Sequence, residues 1–232
     1  MNELLDFFYR TCKVIGFPQM KTPGFRYFYR NGWYEHSDAI FLSYMLQFTK
    51  PKGIIEIGSG FTTACMLDVR DKFFVKNPFH ILSIDPNPRR LFSILFDKDQ
   101  ADTNLNIITS KLQDTPIVYE GLLENDILFI DSSHVSCYGS DVNMIFFDIL
   151  PRLKKGVLIH FHDIHRNFEY PEKFKNEGWN EAYLLRAFLE NNSEYEIVFW
   201  NQVMTHDYRE WFQDNLPVCL ENEGASIWLR KI

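Results

Sequence analysis

Apolar residues along this chain fall into two rhythms. From Gly53 onward, short runs of branched and aromatic residues recur at 53–57, 80–84, 104–109, 126–130, 156–162, 194–200 and 225–230, most of them bounded by Gly, Pro, Asn or Asp. Their length and their continuous apolar character predict strands buried on both faces. Most of the intervening stretches can hold helices. The clearest starts near Ser140 and carries Val142, Ile145, Phe146, Ile149 and Leu153 along one side, before Lys154, Lys155 and Gly156 turn the chain. This alternation predicts an α/β fold, a mostly parallel sheet covered by helices on both faces.

Ahead of the first strand the rhythm is helical and then irregular. Glu3 to Ile15 reads as a short helix, and Phe17 to Tyr34 as an aromatic stretch that closes over a site or wraps the sheet edge. A second helix carries Ile40, Phe41, Tyr44, Met45 and Phe48 at helical spacing, capped by Ser37 or Asp38 and ended by Pro51, Lys52 and Gly53. The expected organisation is one domain over residues 1–232, with residues 1–50 as an N-terminal helical cap.

Composition narrows the function classes. The chain has 24 basic against 31 acidic residues, a net charge of −7, which disfavours nonspecific nucleic-acid binding. No apolar run reaches membrane length, and Met1 to Arg10 carries Glu3 and Asp6 in place of a basic, apolar leader. Cys12, Cys65, Cys137 and Cys219 are scattered, with no paired spacing for zinc or a disulfide framework. The expectation is a soluble cytoplasmic protein whose partner is a small molecule rather than nucleic acid or membrane.

Candidate chemistry sits where predicted strands end, because in such sheets ligands bind beyond the carboxyl ends of the strands. Glu56 interrupts the run of Ile54, Ile55 and Ile57, a costly position unless hydrogen-bond donors meet it. Gly58, Ser59, Gly60 and Phe61 follow, and the two glycines let backbone approach a ligand closely. A plain glycine-rich turn would read the same. A dinucleotide fingerprint would have a third glycine where Thr63 stands. The second strand ends at Asp85, placed to accept hydrogen bonds from ribose hydroxyls.

The fourth strand runs into Asp131, Ser132, Ser133 and His134, and the fifth carries His160, His162, Asp163 and His165. Alternation puts His160 and His162 on one face and Asp163 on the other, unless the strand ends at His162 and the chain turns there. Asp131, His162 and Asp163 could converge on a divalent cation, since carboxylate oxygens with an imidazole suit magnesium, manganese or iron. His160, inside the strand, reads as a hydrogen-bonded core histidine.

These segments resemble class I S-adenosylmethionine-dependent methyltransferases, and more narrowly the methyltransferase 24 family. The resemblance runs from about Asn31 to the C-terminus, carried by residues 55–62, 129–134, 160–164 and 179–189. It implies a seven-stranded Rossmann-like sheet with the last strand inserted antiparallel, and S-adenosylmethionine as cofactor. It further implies that the loop from Glu56 to Phe61 holds the methionine part, Asp85 the ribose, and Gln113 and Asp114 the adenine side, with Asp131 near the amino group or reacting centre. Thr62 replaces a glycine usual in that loop. Metal-using relatives carry acids where Asp131 and the pair His162 and Asp163 stand. The implied reaction is O-methylation of a small-molecule or sugar-like acceptor, with Asp131, His134 and His162 as catalytic candidates and His134 or His162 as proton acceptor. The alternatives are a metal-dependent oxidase or hydroxylase using His160 and His162, and a protein that binds the cofactor without transferring its methyl group.

Overall fold

The computed structural model describes residues 3–115 and 119–232; Met1, Asn2 and Pro116 to Val118 lie outside the described residues. Seven strands form one sheet: β1 Gly53–Ile57, β2 His80–Ile84, β3 Leu105–Ile108, β4 Ile127–Ile130, β5 Leu158–Phe161, β6 Tyr195–Trp200 and β7 Ile227–Lys231. Their order is β3-β2-β1-β4-β5-β7-β6. The first five pair in parallel, while β7 runs antiparallel between β5 and β6. Every predicted strand is present, and so is the inserted antiparallel one.

Adjacent residues on a strand bury toward opposite layers. Ile54, Ile81, Ile127 and Phe129 join one core with Phe8, Phe41 and Leu67, from helices α1 (Glu3–Thr11), α2 (His36–Thr49) and α3 (Phe61–Phe73). Ile55, Ile57, Leu128 and Ile130 join the other, with Val142, Ile145 and Phe146 from α5 (Asp141–Met144) and its continuation and with Leu185 from α6 (Glu181–Leu189). Between these lies the one-turn α4 (Arg89–Phe92), and α7 (Asn201–Asp207) and α8 (Arg209–Asn215) connect β6 to β7. Among the described residues no helix is long and apolar enough to cross a membrane.

Helix ends differ from expectation where side chains have other work. α1 stops at Thr11, short of Ile15: the Lys13 amide donates to Gln47 Oε1 at 2.8 Å, which draws the chain onto α2. α2 starts two or three residues earlier than a Ser37 or Asp38 cap requires, with Glu35 at the cap position. Asp38 instead accepts hydrogen bonds from Ser226 Oγ at 2.5 Å and Asn201 Nδ2 at 3.0 Å. Ser140 does cap α5, but the helix widens into a π turn at Ile145–Ile149 and then tightens at Leu150–Arg152, where Pro151 supplies no amide to the ladder. Asn180 stands at the N-cap of α6 without capping it through its side chain; its Oδ1 accepts from the Ser136 amide at 2.6 Å.

The aromatic stretch before α2 is pinned to the side of the molecule that carries α3 and the loop after β2. Arg26 is buried and pairs with Asp68 at 2.7 Å and Asp99 at 2.5 Å. Phe28 packs edge-on against Phe61, and the Arg90 guanidinium lies 3.5 Å from the centre of the Trp33 ring.

Candidate active site

A cavity of about 1320 Å³ opens at the carboxyl ends of β1, β2, β4 and β5. Its walls include Gly58, Ser59, Asp85, Gln113, Asp131, His134, His162 and Asp163, which brings together most of the residues singled out from sequence. Glu56, Gly60, Phe61 and Asp114 are not among them. Asp114 is exposed beside the cavity, and Phe61 turns inward against the core and Phe28.

Glu56 lies beneath the loop rather than in the cavity. It is fully buried, and its two oxygens accept from Thr62 Oγ1 and Thr63 Oγ1, each at 2.6 Å. Burial pushes its carboxyl up to about 7, against the opposing pull of those hydroxyls. The donors that this buried acid needs are thus the first two threonines of α3, which also explains why Thr62 stands where a glycine is usual. Gly58 has φ +87°, and a Cβ there would lie 2.1 Å from the Asp131 carbonyl oxygen. The end of β4 therefore packs directly on the loop after β1, and only glycine fits. Asp85 braces the same loop, its Oδ2 accepting from the Ser59 amide at 3.0 Å and hydroxyl at 2.6 Å.

At the other end of the cavity, Asp131 and Asp163 face two imidazoles. Asp131 Oδ1 is 3.5 Å from His134 Nε2 and 3.4 Å from His162 Nδ1, and Asp163 Oδ2 is 3.5 Å from each of the same two nitrogens. β5 ends at Phe161, and Asp163 takes φ +55°, so a left-handed turn swings it back beside His162. His134 is likewise left-handed at φ +59°, and its carbonyl is held by the amides of Asn180 and Glu181 at 2.9 and 3.2 Å. Burial disfavours charge on both histidines, yet Asp131 with Glu181 raises His134 to about 10, and Asp163 with Asp131 raises His162. Burial opposes charge on Asp131 too, but the two histidines hold it well below the usual carboxylate range.

Asp131, His162 and Asp163 each offer one ligand atom within 4.8 Å of the others. His162 is 5% exposed, and its Nδ1 is buried without a hydrogen-bond partner. An orphaned imidazole nitrogen facing two carboxylate oxygens fits a divalent cation. His160 does not belong to this group. It stacks on Phe129 with ring centres 3.8 Å apart, its Nε2 is 2.9 Å from Ser226 Oγ, and burial lowers its pKa well below the usual value. Sequence reading missed Glu181 and Asp38, whose carboxylates lie behind His134 and His162. An acid opening the motif at 179–189 was the one available signal for Glu181.

Residues 55–164 match the family model described as a methyltransferase domain. An uncharacterized protein from Archaeoglobus fulgidus is 30% identical over 105 residues, and the match spans 44% of each chain. In fold, the chain is similar to a methyltransferase from Podospora anserina solved with SAH bound, at 16% identity and TM-score 0.52, covering 84% of this chain and 77% of that one. It is also similar to a candidate O-methyltransferase from Klebsiella pneumoniae, at 12% identity and TM-score 0.51, covering 100% of this chain and 90% of that one. Residues 55–164 are therefore similar to a methyltransferase domain, and the chain shares the fold of these two proteins.

Proposed function

We propose that the protein is an S-adenosylmethionine-dependent O-methyltransferase acting on a small, hydroxyl-bearing acceptor, with residues 1–50 as its helical cap. The observation that carries this reading is one continuous cavity running from the Gly58, Ser59 and Asp85 loop to the Asp131 and Asp163 pair. The loop end suits the cofactor because Ser59 and Asp85 line the cavity beside Gly58, whose backbone is held against the Asp131 carbonyl. Gly58 and Ser59 would border the methionine part, Asp85 the ribose, and Gln113 the adenine side, while Glu56 and Phe61 act from below by fixing the loop.

Bound there, S-adenosylmethionine supplies a sulfonium methyl group. The acceptor oxygen would take that methyl group as the carbon–sulfur bond broke, with its electron pair left on sulfur. The acceptor's proton goes to Asp163, a carboxylate that lines the cavity. A divalent cation held by Asp131, His162 and Asp163 would make the hydroxyl more acidic. The chain's main contribution is alignment, which can supply about 7–11 kcal/mol in such displacements.

Phe174 and Trp179 stack with ring centres 4.4 Å apart at the acceptor side, where Lys173, Glu177, His165 and Gln202 also line the wall. Aromatic faces interleaved with polar groups suit a ring that carries hydroxyls, such as a sugar or a phenol. The test is calorimetry with S-adenosylmethionine and S-adenosylhomocysteine, followed by a methyl-transfer screen over sugars, phenols and amines. The reading predicts cofactor binding and methylated product from a hydroxyl acceptor. Absence of cofactor binding would overturn it, and methylation confined to amines would overturn the choice of oxygen.

A further inference from the structure

The two histidines of the acid cluster share an arrangement that their separate sequence positions conceal. Each turns one nitrogen to the same pair of oxygens, Asp131 Oδ1 and Asp163 Oδ2, at 3.4–3.5 Å. Each turns its other nitrogen to a buried carboxylate outside the pair. His134 Nδ1 lies 2.8 Å from Glu181 Oε2, and His162 Nε2 lies 3.5 Å from Asp38 Oδ2. The outer carboxylates are themselves fixed. Glu181 is fully buried and accepts from Ser132 Oγ at 2.8 Å; Asp38 accepts from Ser226 Oγ, Asn201 Nδ2 and the Ala225 amide. A carboxylate behind an imidazole fixes which nitrogen carries the proton and leaves the other nitrogen's lone pair for a metal. Here that device occurs twice, with Nε2 directed inward from His134 and Nδ1 from His162.

We propose that Asp131, His134, His162 and Asp163 form a four-donor centre of two nitrogens and two oxygens for one divalent transition-metal ion, and that Glu181 and Asp38 are its positioning residues. The inference deepens the reading of the same cavity under Proposed function, by adding His134 to the donor set and naming the class of ion. Four features carry it: the closed ring of contacts, the buried and partnerless His162 Nδ1, the paired outer carboxylates, and the left-handed backbone at His134 and Asp163 that aims two of the donors inward. Oxygen-only sites suit magnesium, which prefers to keep its waters, whereas imidazole donors favour iron, cobalt, nickel or zinc. The centre takes half of its donors as nitrogen and so selects against magnesium.

The experiment is calorimetric titration of the metal-free full chain with Co²⁺ and with Mg²⁺, alongside the visible absorption of bound Co²⁺ and a separate titration with S-adenosylhomocysteine. One Co²⁺ should bind per chain, at least about tenfold more tightly than Mg²⁺. His134→Ala should weaken Co²⁺ at least about tenfold and change its absorption bands, and Glu181→Gln, which keeps the side chain's shape, should weaken it about 10–100-fold. Both variants should bind S-adenosylhomocysteine as the parent does, which reports an intact fold. Equal affinities for Co²⁺ and Mg²⁺, or unchanged Co²⁺ affinity and spectrum in both variants, would overturn the inference. S-adenosylhomocysteine binding without any Co²⁺ binding would also overturn it, while leaving the methyl-transfer reading in place.

Discussion

The loop beside the cavity and the far end of the cavity treat their acids in opposite ways. At the loop end, Glu56 has both oxygens satisfied by threonine hydroxyls from the helix that follows. At the other end, Asp131 and Asp163 stand 3.4–3.5 Å from imidazole nitrogens, and His162 Nδ1 has no hydrogen-bond partner. The first acid is closed off and serves architecture. The second pair is left open, with polar groups brought close but not spent on one another. An acid marks a ligand site when its surroundings stay under-satisfied, and an enclosed position alone does not make it one. Substitutions at the closed end should therefore cost stability, and at the open end function.

The largest effect is expected at Gly58, where the two ends touch. Gly58→Ala places a Cβ 2.1 Å from the Asp131 carbonyl at φ +87°, so the β4 end or the loop must move. Chemical denaturation should show a loss of about 3 kcal/mol or more, with cofactor affinity reduced at least about 100-fold by calorimetry. A variant as stable as the parent would mean that the loop does not sit on Asp131.

Next is the pH dependence of Glu56. Its carboxyl is raised to about 7 in the folded chain by burial, above its value in an unfolded chain. A raised carboxyl favours the protonated fold: its contribution is fully present below about pH 4.5 and is lost as pH rises through about 7. Denaturation across that window should reveal a decline of roughly 3 kcal/mol from this group, absent in Glu56→Gln. Parallel profiles for the two proteins would refute the closed-end assignment. Thr63→Val is the milder form of the same test, stripping one donor from a buried oxygen at a cost of about 1–3 kcal/mol.

Much of this could be read before folding, and the pattern of success has a physical reason. Strands and their ends were legible because buried parallel strands are continuous apolar runs, and a carboxylate directly after one is conspicuous. Asp85 and Asp131 were found in that way. Glu56 was noticed as an anomaly, but sequence could not say whether its donors would be a ligand or its own helix; Thr62 and Thr63 settled that only once α3 turned them inward. Asp38 and Glu181 lie 124 and 47 positions from the histidines they face, on helices whose rotation no local pattern specifies. Strand alternation left two placements open for Asp163, and the left-handed turn just past the strand end selects the one in which the chain turns there.

The smallest change in stability is expected where the sequence was least informative. Asp163→Asn preserves shape, and asparagine tolerates the φ of +55° that Asp163 adopts. Asp163 lines the cavity, and its nearest charged groups are the two imidazoles at 3.5 Å. Losing its charge removes a partner from His134 and His162 but leaves Asp131 between them, so unfolding free energy should shift by no more than about 1 kcal/mol. Methyl transfer should nevertheless fall about 100-fold or more, because the same carboxylate is proposed to take the acceptor's proton and to help hold the cation. Cofactor affinity, proposed to be set at the loop end, should be unchanged by calorimetry. Together with Thr63→Val, which should lose stability while a folded fraction still turns over, the variant separates the two ends. If Asp163→Asn instead destabilised the chain by as much as Thr63→Val while retaining its rate, the open end would be architecture as well, and the contrast between satisfied and unsatisfied acids would not track function in this molecule.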